Sequence, residues 1–166
     1  YLNNELLSTS TDTTLVSVSQ NQSIGYEIGA STRAVDGVIS DVRAYNRVLS
    51  PSEIQHLYEI GSVDVATPPN ASDANAVSRW SFDDRSDTST ALDEWSSNDG
   101  TITGATYSAD SIRGLSMSFD AVGENVNVGQ GYDSANGTFS FWFNSRINQS
   151  DARFLLSDRG PSNEYI

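Results

Sequence analysis

The sequence predicts an all-β fold, a sandwich of antiparallel strands with one short helix at about residues 50–60. Three observations predict it. Short apolar runs rich in Val, Ile, Phe and Tyr recur between Thr, Ser, Gly and Asn, the composition of strands and turns. Several runs alternate with period two: Trp80 and Phe82 share one face of residues 78–83, and Phe139, Phe141 and Phe143 share one face of residues 137–143, with Ser140 and Trp142 on the other. Helix chemistry is complete in a single stretch, residues 50–61. A chain of 166 residues can bury one good core, as one full domain or two partial ones.

In chain order, residues 1–7 (YLNNELL) read as a strand carrying an Asn3-Asn4 turn, and residues 15–18 and 23–29 as two further strands. Asp36-Gly37 reads as a turn pair and residues 38–45 as a half-buried strand. The helix follows at once. Ser50 is the N-cap, Pro51 takes the first helical position where its missing N–H costs nothing, and Glu53 completes a capping box. Ile54, Leu57 and Tyr58 fall at i, i+3 and i+4, so one face can lie on a sheet, and Gly61 is placed as the terminating residue. Residues 63–76, with Pro68-Pro69 among small polar residues, read as an extended linker. The strand pattern restarts at Val77 and continues through residues 101–102, 114–120, 125–128, 137–143, 154–157 and 164–166, separated by turn formers.

The net charge is −13 with a pI near 4.1, and all nine basic residues are Arg. An acidic surface repels a phosphate backbone, which argues against nucleic acid as a partner. Such a surface stays soluble where salt screens charge, so a halophilic or saline source is favoured over a merely acidic protein. Without Cys there are no disulfides or thiolate metal sites. No apolar run approaches membrane-spanning length, and no signal peptide is visible. Sequons at Asn21, Asn70, Asn136 and Asn148 make glycosylation and export an expectation, although a chain rich in Asn, Ser and Thr also produces sequons by chance.

Asp36-Gly37-Val38-Ile39, Asp41-Val42-Arg43, Tyr45-Asn46-Arg47, Leu49-Ser50, Glu53-Ile54 and Leu57-Tyr58 together resemble the end of a laminin-G-like, concanavalin A-like jelly-roll lectin-glucanase domain. Residues 1–7 resemble that family's hairpin, with Asn4 where Gly is usual. Residues 80–83 with Asp93, Ser96, Asn98 and Gly100 resemble the family's opening, with Ser97 in place of a Gly, and residues 114–120, 125–128 and 137–143 resemble its next strands. The resemblance implies a closing half at 1–62, a linker at 63–76 and an opening half at 77–166. Three organisations fit: an excerpt of two tandem domains, which we prefer; one permuted sandwich; or halves completed by neighbouring chains. It further implies an adhesion or glycan-binding module, which we read as non-catalytic and at the cell or virion surface, with glycans, surface glycoproteins and neighbouring copies as partners and calcium as the candidate cofactor. Alternatives are a structural subunit of a filament, sheath or virion, and an accessory domain of a secreted polysaccharide-degrading enzyme.

No catalytic constellation stands out. His56, the sole His, sits near the helix end, where solvent exposure or the helix dipole accounts for it. Asp83, Asp93, Asn98 and Asp99 cluster around one turn-rich loop, and hard oxygen ligands suit calcium; Asp41 joins them by the resemblance. In so acidic a chain the same residues also read as solvated surface or turn chemistry. Trp95, Tyr107 and Tyr132 are the ligand-binding candidates, as aromatic platforms with polar neighbours, while Trp142 reads as strand packing.

Overall fold

The structure, a computed structural model, describes residues 1–7, 22–26, 35–62, 75–85, 87–112, 114–129, 137–146 and 155–158. Within these the chain forms β1 (Gln22–Ile24), β2 (Gly37–Tyr45), α1 (Pro51–Ser62), β3 (Ala76–Trp80), β4 (Thr90–Ala91), β5 (Gly100–Thr103), β6 (Thr106–Ser108), β7 (Ser116–Phe119), β8 (Asn125–Gly129), β9 (Thr138–Ser145) and β10 (Leu156–Asp158). The fold is all-β with one short helix, in two antiparallel sheets. The first runs β10-β1-β8-β5-β4; the second runs β3-β2-β7-β6, with β9 on the other edge of β2.

Strand β2 organises the second sheet. One edge pairs with β9 along nearly its full length, from Gly37↔Ser145 to Tyr45↔Thr138. The other edge serves two strands in succession: residues 37–39 pair with β7, and residues 42–45 pair with β3. The change of partner falls at Asp41, whose φ is 50°, and there the register against β9 also shifts. Asp tolerates the left-handed conformation better than most residues, and one extra residue in a ladder bends the strand. Ile39 and Val42, three positions apart, consequently both reach the core. The first sheet repeats the arrangement, with β1 between β8 and β10.

One core cluster draws on both sheets. Ile24, Ala91, Ile102, Val126 and Val128 come from the first, Ile39, Val42, Trp80, Met117 and Phe119 from the second, and Phe82, just beyond the end of β3 at a left-handed φ of 64°, joins them. At ~25 cal/mol per Å² of apolar surface removed from water, burying a side chain of this size stabilises by about 1.5–3 kcal/mol. Close approach is built in: a Cβ on Gly25, whose φ is 90°, would lie 2.3 Å from the Phe119 ring, and one on Gly37 would lie 2.3 Å from the Asn144 carbonyl.

The helix begins as its caps dictate. The Ser50 N–H donates to Glu53 Oε2 at 2.8 Å, and the Glu53 N–H donates to the Ser50 carbonyl at 3.0 Å and lies 3.4 Å from its hydroxyl. Arg47 adds two bonds to the Glu53 carboxylate, at 2.7 and 2.9 Å. These bonds hold Glu53 well below the usual carboxylate range, at about 2, with Arg47 the largest cause and Ser50 next. Ile54 and Leu57 are half-buried, whereas Tyr58 is exposed on one side and stacks on Trp142 of β9 at 5.4 Å between centroids.

Several expectations need correction. Gly37 lies inside β2, paired with Phe119 and Ser145, and makes no turn with Asp36. All nine residues of β2 are buried, because a strand flanked on both edges and covered on both faces leaves no solvent side. The helix runs one residue past Gly61, within the range by which helix ends fray. The Asn3-Asn4 turn is present, with positive φ at both residues and Leu2 and Glu5 exchanging two 2.9 Å bonds, but it closes an isolated bridge, not a longer strand. Strands β4 and β6 were not foreseen, being two and three residues long. The strands expected at residues 15–18 and 164–166 lie outside the described residues.

Candidate functional site

Of the residues singled out for ligands, Asp93, Trp95, Asn98 and Asp99 lie in the loop between β4 and β5, and Asp41 lies in the strand beneath it. Asp93 shapes this loop. Its Oδ1 accepts from the Arg79 N–H at 2.9 Å and the Trp95 N–H at 3.0 Å, its Oδ2 accepts from the Asn98 N–H at 3.2 Å, and its own N–H donates to Asp99 Oδ1 at 2.8 Å. Asn98 ties the far side down, donating to Ser78 Oγ at 2.9 Å and accepting from Trp80 Nε1 at 2.9 Å. Asx side chains that cap nearby backbone donors are the usual way to fix a turn without regular structure.

Beneath the loop lies a buried ion network. Asp41 accepts from Arg43 Nε at 3.1 Å and Nη2 at 2.5 Å, and from Arg79 Nε at 2.8 Å. Arg79 also pairs with Glu94, whose other oxygen takes the Ser81 hydroxyl. Arg43 is 2% exposed, and Arg79 and Asp41 are 8% exposed. Burial pushes the Asp41 carboxyl up, but the Arg43 and Arg79 guanidiniums more than offset this and hold it below the ordinary carboxylate range. The same balance, with burial pushing down and Asp41 and Glu94 pushing up, raises Arg79. The network runs from the kink of β2 to the surface, where Glu94 is the most exposed member.

Trp95 stands on this platform, half-buried, with its ring edge-on to Tyr45 of β2 at 5.7 Å and 64°. The exposed Ser96 and Ser97 flank it. Tyr107 is elsewhere, in β6 at the edge of the second sheet, with its hydroxyl 3.3 Å from the Asp87 and Thr90 carbonyls; burial, then the charges of Asp84 and Asp87, push that hydroxyl up. Trp142 packs under α1, as strand packing requires. His56 is exposed on the helix. Tyr132 and the sequon residues Asn21, Asn70, Asn136 and Asn148 lie outside the described residues.

Each of the calcium candidates Asp41, Asp83, Asp93 and Asp99 is engaged by protein donors. Calcium requires six to eight converging oxygens. Both Asp41 oxygens face guanidinium groups, both Asp93 oxygens accept backbone N–H groups, and Asp83 Oδ1 accepts from the Leu115 N–H at 2.7 Å. Among the described residues no three of His, Cys, Asp and Glu are grouped as metal ligands. The donor set therefore suits cationic side chains and backbone amides better than a free divalent ion.

Sequence reasoning missed Arg43, Arg79 and Glu94. The signal was present: an Arg inside an otherwise apolar strand, two residues from an Asp, marks a charge that must be paired when buried. Among the described residues no helix is long and apolar enough to cross a membrane. Comparison with protein-family models, curated proteins and solved structures finds no match for this chain.

Proposed function

We propose that the chain is a non-catalytic binding module of the laminin-G-like jelly-roll type, working outside the cell or on a cell or virion surface and recognising glycans through the β4–β5 loop. The supporting observation is Trp95: an indole braced on Tyr45, partly exposed and flanked by Ser96, Ser97 and a Glu94 carboxylate held by Arg79 and Ser81. An aromatic face with a rigid carboxylate and hydroxyls beside it matches a pyranose ring, whose apolar face stacks while its hydroxyls donate outward. Two antiparallel sheets around a shared core support the jelly-roll reading, and the resemblance of residues 36–58 and 80–100 supports the family.

The carboxylates at this site already face guanidinium and amide groups, which supports recognition without calcium. The test is binding of the chain to an array of neutral and acidic glycans in high salt, with and without calcium. Saturable binding, independent of calcium and competed by free sugar, is the expected result. Trp95→Ala should weaken it about tenfold or more, the loss of an aromatic contact of ~1.5 kcal/mol, with the fold intact by circular dichroism. Binding that is unaffected by this change, or absent for every glycan at millimolar concentration, would remove the reading.

A further inference from the structure

We propose that residues 1–62 are an exchangeable donor segment, with which one copy of this chain completes the sheets of residues 77–166 in a neighbouring copy. The proposal does not depend on the glycan reading. It starts from where the two strands of the donor lie. β1 pairs with β8 and β10, and β2 pairs with β3, β7 and β9, so every partner comes from the other segment. Among the described residues no ladder joins β1 to β2. Withdrawing the donor separates β10 from β8 and β9 from β3 and β7, leaving open edges on both sides of each gap. Such edges pair with any strand of matching register, whichever copy supplies it.

The fit is specific to this donor. Gly37 and Gly25 admit Asn144 and the Phe119 ring where a Cβ would collide, and the buried Asp41–Arg79 bond crosses from one segment to the other at 2.8 Å. The route between segments is also informative. The Asn46 N–H donates to the Asn75 carbonyl at 3.0 Å, so β2 leaves where β3 arrives. In sequence the intervening stretch, with Pro68-Pro69 among small polar residues, has the composition of a linker.

Magnitudes set the conditions. A tethered segment has an effective concentration on the order of millimolar for a flexible linker, so exchange prevails when copies are crowded to that level, as on a surface or in an assembly. A charge of −13 per chain opposes approach until salt screens it, with a Debye length of about 3 Å at 1 M.

The chain has no Cys, which makes cross-linking clean. Ala44 and Ser78 are Cα partners in the β2–β3 register, and antiparallel partners lie about 4.5–5.5 Å apart, within disulfide range. Chains bearing Ala44→Cys or Ser78→Cys would be unfolded, mixed and refolded in high salt with oxidised glutathione, at about 1 mM and at about 10 µM, concentrations chosen to bracket that effective concentration. Heterodimers joined by the mixed disulfide should predominate over like pairs at the higher concentration and fall at least tenfold at the lower. The double variant Ala44→Cys/Ser78→Cys should close within one chain when dilute. Heterodimers absent at about 1 mM, while the double variant closes, would show that the donor stays in its own chain and overturn the proposal. Ser23→Cys with Asn127→Cys, partners in the β1–β8 register, repeats the measurement on the other sheet. Failure of both double variants to close would overturn the pairing on which the proposal stands.

Discussion

Asp41 combines a left-handed φ of 50° with a carboxylate shared by two buried guanidiniums, so backbone geometry and charge depend on one residue. Removing one partner from a buried ion network leaves uncompensated charge and costs about 3–5 kcal/mol, so Asp41→Asn, which retains size and φ tolerance, should destabilise by that order in chemical denaturation. The sign of the pH effect follows from the depressed native value. Between that value and the ordinary one the unfolded chain binds more protons, so the contribution is complete above the ordinary carboxylate pKa and is lost as pH falls through the native one. Stability of the parent chain should fall on acidification below about pH 5, and Asp41→Asn should flatten part of that slope, since Glu53 and Asp87 are also held low. An unchanged slope would mean that folding does not shift the Asp41 carboxyl from its ordinary range.

Each element shows how local chemistry and tertiary demands divide the work. The helix starts where Ser50, Pro51 and Glu53 place it, because these bonds form within one turn and need nothing from the rest of the chain. Strand β2 is different: its alternation is broken at Asp41 so that one edge can accept β7 and then β3. Gly37 is where this strand tolerates least. Gly37→Ala would press a methyl against the Asn144 carbonyl and should cost about 1–3 kcal/mol, measured as a lower thermal midpoint, as overpacking of a close backbone contact does. No loss would mean that β9 can shift away from β2 without penalty.

At the scale of the whole molecule, the interleaving of the two segments makes them one cooperative unit. Calorimetry should show a single transition whose calorimetric and van't Hoff enthalpies agree, because neither segment keeps its sheets without the other. The midpoint should rise as salt screens the charge of −13. Two resolved transitions would mean that residues 1–62 and 77–166 fold independently.

The all-β class, the helix and its cap, the burial of Trp80 and Phe82, and the turn-forming loop around Asp93 were legible in the sequence, whereas Phe143, expected on one face with Phe141, is exposed. Each rests on interactions within a few residues, where composition and periodicity carry the information. The loop was legible as a cluster of Asp and Asn, but its partners were not: Asp93 binds backbone donors of β3 and its own loop, and Asp41 binds Arg79, thirty-eight positions away. Periodicity could not reveal that β2 is buried on both faces or that β1 lies between β8 and β10, since the position of a strand within a sheet depends on pairings distant in sequence. By itself the sequence determined the all-β class, most of the longer strands, where the helix begins and how acidic the chain is. Only the tertiary structure decided which strands are neighbours and which charges neutralise one another, because burial turns a neighbour hundreds of atoms away along the chain into the one that carries the energy.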